Sequence, residues 1–120
     1  MKSAARQRAE RRGKRAEFYA VWLLRLKGYR LLARNFRTRS GEIDLIARRK
    51  NLLVFVEVKT RRDPATLGWA VAPTQWRRIA HAASGYVRRT PALQECRWRF
   101  DLVVLSPRRL PRHLPDMWRP

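Results

Sequence analysis

An α/β fold built on a mixed central sheet is what the sequence predicts, and three observations carry it. The run Leu52-Leu53-Val54-Phe55-Val56 is almost continuously apolar, as in a strand covered on both faces. Short turn-like segments, Thr38-Arg39-Ser40-Gly41 and Lys50-Asn51, separate it from two other β-like runs, so the first three strands are antiparallel neighbours. A helical segment then precedes a last strand, which permits a parallel crossover. The expected order is α-β-β-β-α-β, with helices flanking the sheet.

Each element has its own signal. Residues 4–27 contain no proline and are rich in Ala, Arg, Glu and Leu, with Phe18, Val21, Trp22, Leu24 and Leu26 as apolar positions, which predicts a helix stopped by Gly28. Its start carries Arg6, Arg8, Arg11, Arg12, Lys14 and Arg15 and almost no apolar face, so residues 1–15 read as a frayed basic arm. Strands are predicted over 29–36, over 42–48 and over 52–59. In the second, Ile43, Leu45 and Ala47 should share one face, with Glu42, Asp44 and Ile46 on the other.

Residues 61–73, with Asp63-Pro64, Gly68 and Pro73, read as a loop, after which Thr74 can cap a helix to about residue 89 whose apolar face is Ile79, Ala82, Ala83, Tyr86 and Val87. The last strand, 97–105, alternates Trp98, Phe100, Leu102 and Val104 with Arg97, Arg99 and Asp101. From Ser106 on, four prolines and four arginines leave no periodicity, so 106–120 is expected to be a flexible tail and 16–105 the folded domain. Trp22 and Trp98 are expected in the core and Trp69, Trp76 and Trp118 partly buried. His81 and His113 lack ligand spacing and receive no role.

The chain carries a formal charge of +20, and 24 of its 29 basic residues are arginine. Such an imbalance calls for a polyanion, and the planar guanidinium suits phosphate, so DNA is the expected partner. A GC-rich genome would give the same arginine bias without functional meaning. The single Cys96 excludes an internal disulfide framework and a Cys-rich zinc site, which fits a reduced, cytoplasmic setting. No apolar run reaches the roughly 20 residues of a membrane span, so no membrane partner is expected. The Arg-rich start lacks the apolar core of a secretory signal, and Glu10 and Glu17 argue against a transit peptide.

Against this basic background, acids inside strands need a reason, because burying a carboxylate costs several kcal/mol unless a cation or hydrogen bonds compensate. Glu57 and Lys59 are two apart in one strand and share a face, and hairpin pairing can bring Asp44 beside Glu57. Two carboxylates with a carbonyl such as that of Val58 make an all-oxygen site of the kind Mg2+ or Mn2+ prefers. A lysine beside them can orient water or offset charge on a phosphate, which completes the parts for metal-assisted phosphodiester hydrolysis. The plain structural alternative is a same-face Glu57–Lys59 ion pair with Asp44 matched to an arginine.

Three segments, Gly41-Glu42-Ile43-Asp44-Leu45-Ile46-Ala47, Val54-Phe55-Val56-Glu57-Val58-Lys59-Thr60-Arg61 and Arg99-Phe100-Asp101-Leu102-Val103, resemble the YraN family of predicted endonuclease-like proteins in the PD-(D/E)XK superfamily. The resemblance spans about residues 13–105. It implies a restriction-endonuclease-like fold, similar to archaeal Holliday-junction resolvases, with Asp44 as metal-binding aspartate, Glu57 as second ligand and Lys59 as the lysine of the E-x-K element. Glu17 matches a glutamate that contributes to the same site in related nucleases, and Glu42 belongs to the family motif. Gln75 stands where related sequences often have lysine, which puts activity or substrate choice in question. A homodimer is the assembly that junction resolvases suggest, although no dimer surface is legible in the sequence.

The leading expectation is therefore a metal-dependent DNA endonuclease, structure-selective and acting in repair or recombination, with Arg61, Arg62, Arg11, Arg12 and Lys14 on the nucleic acid. The alternative is a non-catalytic nucleic-acid-binding protein on the same scaffold. A small ribosome-associated protein would explain the basic termini and leave the in-strand acids without a reason.

Overall fold

A computed structural model describes residues 3–62 and 71–120, excepting the side chains of 5–12. Helix α1 (Ala4–Leu26) is followed by β1 (Arg30–Arg37), β2 (Glu42–Arg49) and β3 (Leu52–Thr60). After the crossover come α2 (Pro73–Arg88), a 3-10 turn (Pro91–Leu93), β4 (Arg97–Leu105) and β5 (Arg112–Trp118). The five strands form one sheet in the order β1-β2-β3-β4-β5. All neighbours are antiparallel except β3 and β4, which run parallel in unbroken register from Leu52–Arg97 to Thr60–Leu105. The mixed α/β sheet with a helix on each face agrees with the sequence expectation, and among the described residues no helix is long and apolar enough to cross a membrane.

The two helices build two cores. Ala20, Val21 and Leu24 of α1 pack on Leu45, Ala47, Val54, Val56 and Val103, while Trp76, Ile79, Ala82, Ala83 and Val87 of α2 pack on Ile43, Ile46, Leu53, Phe55 and Phe100. Val54 and Phe55 therefore serve opposite faces, which explains why β3 reads as one continuous apolar run. Gly28 ends α1 with φ +90, a backbone conformation open to glycine at no steric cost. Gly41 has a different constraint: a Cβ there would lie 2.7 Å from the Arg78 carbonyl oxygen, so the β1–β2 turn can touch α2 only without a side chain.

Several expectations are corrected. The segment 1–15 is not a frayed arm throughout, because α1 is helical from Ala4. Its buried stripe is Ala16, Ala20, Val21 and Leu24, with the alanines letting the helix approach the sheet, while Phe18, Trp22 and Leu26 face out. Helix α2 starts at Pro73 without a side-chain cap from Thr74, since proline at a first helical position has its φ preset and no N–H to satisfy. Trp76 is buried, and Trp98 is exposed although its ring meets Phe55 edge-on. Trp69 lies outside the described residues.

The presumed flexible tail contains β5, which covers the β4 edge. Trp118 packs edge-on against Phe100, and a register shift between Phe100 and Leu102 accommodates the irregular pairing that hid the strand from periodicity. Alternation in β2 also fails at one point: Ile43 and Ile46 join the α2 core, whereas Leu45 and Ala47 join the α1 core. The break falls at Asp44.

Candidate active site

The break at Asp44 has a local cause on both neighbouring strands. In the β1–β2 register Asn35 lies between the Arg34–Leu45 and Phe36–Ile43 pairs, hence opposite Asp44, and it has φ +49, a left-handed conformation that asparagine tolerates better than most residues. On the other side the β2–β3 ladder ends at Leu45–Val56. One step further, where Asp44 and Glu57 would face each other, Asp44 Oδ2 accepts the Val58 backbone N–H at 2.9 Å. A side-chain carboxylate thus stands in for a ladder carbonyl. Because the N–H and C=O of a strand residue leave toward the same neighbour, the Val58 carbonyl is turned toward β2 as well.

Glu57 is only 6% exposed and projects from β3 with Lys59, whose Nζ lies 3.5 Å from Glu57 Oε1. Burial first, and then the charge and hydrogen bond of neighbouring Asp44, push the Glu57 carboxyl up to about 8, against a weaker downward pull from Lys59. Asp44 is also raised by burial, although its hydrogen bonds with Val58 and Glu57 oppose that rise. The pair therefore holds a proton into the neutral range. In a chain of +20, carboxylates raised in this way mark a candidate functional site.

Glu17 reaches this end of the sheet from α1. Asn35 Nδ2 donates to its Oε2 at 3.2 Å, and burial together with the charges of Asp44 and Glu42 raises its carboxyl despite that bond. Glu42 is paired across the turn with Arg37, Nε to Oε1 3.3 Å. The turn itself is held by Thr38, whose Oγ1 accepts the N–H groups of Ser40 and Gly41, each at 3.1 Å. Among the described residues no three His, Cys, Asp or Glu side chains converge closely enough to enclose a metal by themselves. Two carboxylates and one carbonyl still suit Mg2+ or Mn2+, because such ions commonly take one or two protein carboxylates and keep several waters.

Two arginine-lined clefts open at the end of the sheet where β2 begins and β3 ends. One, of about 570 Å³, runs between α1 and the ends of β3 and β4 and is lined in part by Arg15, Tyr19, Arg61 and Arg62. The other, of about 780 Å³, lies between the β1–β2 turn and the start of α2 and includes Arg37, Arg39, Glu42, Gln75 and Arg78. Lys14 is exposed on α1, and the side chains of Arg11 and Arg12 lie outside the described residues. Of the residues singled out in the sequence, Asp44, Glu57, Val58 and Lys59 come together, Glu17 stands within electrostatic reach, and Glu42 and Gln75 line the neighbouring cleft. Asn35, Arg37 and Arg78 went unnoticed, and only Asn35 carried a signal, being a turn-type residue inside a strand.

A second cluster of charges lies under α1. Asp101 is fully buried and accepts Arg99 Nε and Nη2, each at 2.8 Å, and the Asp116 backbone N–H at 3.0 Å. His113 Nε2 lies 2.7 Å from Asp101, and Arg99 Nη2 also donates to Tyr29 Oη at 2.8 Å. His113, given no role in the sequence, thus ties β5 to β4.

A family model described as "Uncharacterised protein family UPF0102" matches residues 16–105. A UPF0102 protein of Paramagnetospirillum magneticum is 49% identical over 124 aligned positions, covering 98% of this chain and 94% of its own length. A UPF0102 protein of Parvibaculum lavamentivorans is 50% identical, covering 93% of this chain and 84% of its own. A third, from Mesorhizobium japonicum, is 50% identical, with 95% and 91% covered.

Proposed function

From a chain that belongs to the UPF0102 family, the family also called YraN, we propose a divalent-metal-dependent DNA endonuclease that hydrolyses phosphodiester bonds. The observation that carries this reading is the pairing of part-buried Asp44 with buried Glu57 at the point where β2 and β3 part, with Lys59 beside it and arginine-lined clefts at the same end of the sheet.

Asp44, Glu57 and the Val58 carbonyl would hold Mg2+ or Mn2+, with Glu17 in support. When bound, the ion polarises the phosphate and acidifies an attacking water. Val58 fixes Asp44 through its N–H, so one carboxylate oxygen is held in place. Lys59 is placed to orient the water or offset charge on the phosphate. Arg15, Arg61 and Arg62 on one side, and Arg37, Arg39 and Arg78 on the other, can bind successive phosphates without reading sequence. This assigns binding to any DNA with a steep salt dependence.

The test is a cleavage panel of plasmid, single strands, flaps and four-way junctions with Mg2+ or Mn2+. Glu57→Ala and Lys59→Ala should each lower cutting at least a hundredfold, while DNA affinity in calcium stays near wild type, since calcium fills an oxygen site with different geometry. Wild-type protein that holds Mn2+ by calorimetry yet cuts nothing above a variant carrying both Glu57→Ala and Lys59→Ala would remove catalysis and leave a binding scaffold.

A further inference from the structure

The outward side of α1 carries an aromatic surface that the proposed hydrolysis does not use. Phe18 and Tyr19 are each 52% exposed and Trp22 is 49% exposed. Their rings meet edge-on, Phe18 to Tyr19 at 5.7 Å and Phe18 to Trp22 at 6.3 Å between centroids. Three large exposed aromatic side chains, two of them packed against Phe18, on the surface of a small basic domain call for an occupant.

Charge selects it. Lys14, Arg15 and Arg25 flank the aromatics on the same helix, and Arg61 and Arg62 stand across the cleft that Tyr19 lines. A second copy of the chain would set those cations against their own kind, whereas a polyanion with flat apolar faces meets both features. Unpaired nucleotides have that chemistry, with phosphates for the arginines and bases for the rings. A duplex keeps its bases stacked inside and offers only the phosphates. The cleft is also large enough for a small ligand, by comparison with pockets of about 300–1,000 Å³.

We infer that α1 is a single-strand platform: an unpaired DNA strand lies over Phe18, Tyr19 and Trp22, its bases stacked on the rings, and enters the cleft beside Arg61 and Arg62. Thr60 ends β3 and Arg61 and Arg62 come immediately after it, so the cleft opens at the end of the strand that carries Glu57 and Lys59. The inference rests on the proposed action on DNA and names its substrate class, one that contains an unpaired segment.

The experiment measures binding by fluorescence anisotropy in EDTA, where hydrolysis cannot occur. The probes are an oligothymidylate, an abasic strand of equal length and a duplex. Wild type should bind oligothymidylate about tenfold more tightly than the abasic strand, the effect of roughly one stacked base. The double variant Tyr19→Ala, Trp22→Ala should lose that preference, with its abasic-strand affinity and salt slope unaltered because no cation is removed. Tyr19→Phe with Trp22→Phe retains the stacking faces and should behave as wild type.

Equal wild-type affinity for the two single strands would overturn the inference, as would a double variant that weakens on both alike. A change of oligomeric state in the double variant with the thymidylate preference intact would assign the aromatics to self-association instead. Cutting of the panel substrates in Mn2+ keeps the two readings apart: cutting without base preference removes the platform alone, and base preference with none of the panel cut removes the nuclease alone.

Discussion

Two acid sites, one around buried Asp101 and one around buried Glu57, lie on adjacent strands, and they are provided for in opposite ways. Asp101 pairs in register with Val56, one residue from Glu57. It is surrounded by donors: an arginine fork, a histidine and a backbone N–H. Burial alone would raise its carboxyl, but the hydrogen bonds from His113, Arg99 and Asp116 outweigh it and hold Asp101 below the usual aspartate range. Asp44 and Glu57 have one backbone N–H and one lysine amine between them, and both are raised. A protein with arginine to spare satisfies one acid completely and leaves the other pair short. The difference separates an acid matched by donors within the fold from a pair whose carboxyls burial keeps raised.

The comparison breaks first, and with the largest effect, at Asp101. Asp101→Asn keeps the shape but leaves Arg99 with no anionic partner in a partly buried position, and breaking a buried pair costs about 3–5 kcal/mol. Asp44→Asn removes one of two mutually repelling groups and should leave metal-free stability unchanged or higher. Urea unfolding of both variants tests this, and equal losses would erase the distinction between the sites.

His113→Ala is a smaller probe of the satisfied site. It removes one donor from Asp101 while Arg99 and the Asp116 N–H remain, and a hydrogen bond to a charged group is worth about 1.5–3 kcal/mol. The same substitution loosens β5, because His113 lies opposite Val103 in the β4 pairing. Hydrogen exchange should therefore rise in β5 ahead of β3. Uniform exchange across the sheet would mean that His113 does not anchor the strand locally.

How much of this was legible follows from which signals are local. The apolar run of β3, the turn residues at 38–41 and the spacing of Glu57 and Lys59 act within a few positions, and from them came the mixed sheet, the hairpin and the acids that meet. The break at Asp44 was not legible, since it depends on Asn35 in another strand and on a side chain replacing a ladder carbonyl. Strand β5 was hidden because an edge strand with proline and a register shift shows no alternation. Trp22 and Trp76 exchanged their expected surroundings for one reason: a helix buries whichever stripe lets it approach closely, and in α1 that stripe is alanine-lined. The aromatic platform and the anchoring histidine thus both emerge only from packing.

The Asp44–Glu57 pair gives the finest test, because the sign of its pH dependence opposes that of an ordinary salt-bridged acid. The Glu57 carboxyl sits near 8 in the folded chain and near 4.5 when unfolded, so between those values the folded state holds a proton that the unfolded state has lost. Without metal, its contribution is full below about 4.5 and is lost as pH rises through about 8. Asp101 behaves in reverse: its contribution is present above its ordinary value and is lost only in acid. Glu57→Gln is permanently neutral, so its stability should lack the decline between those limits and exceed wild type most at the alkaline end. Mn2+ should then close the gap in wild type alone, by about 1.4 kcal/mol at ten times its dissociation constant, and the effect should fade as acid returns the proton to the pair. Thermal melts of wild type and Glu57→Gln across this range, with and without Mn2+, decide the matter. Parallel curves would mean that Glu57 is neither strained by its neighbour nor held in readiness for a cation.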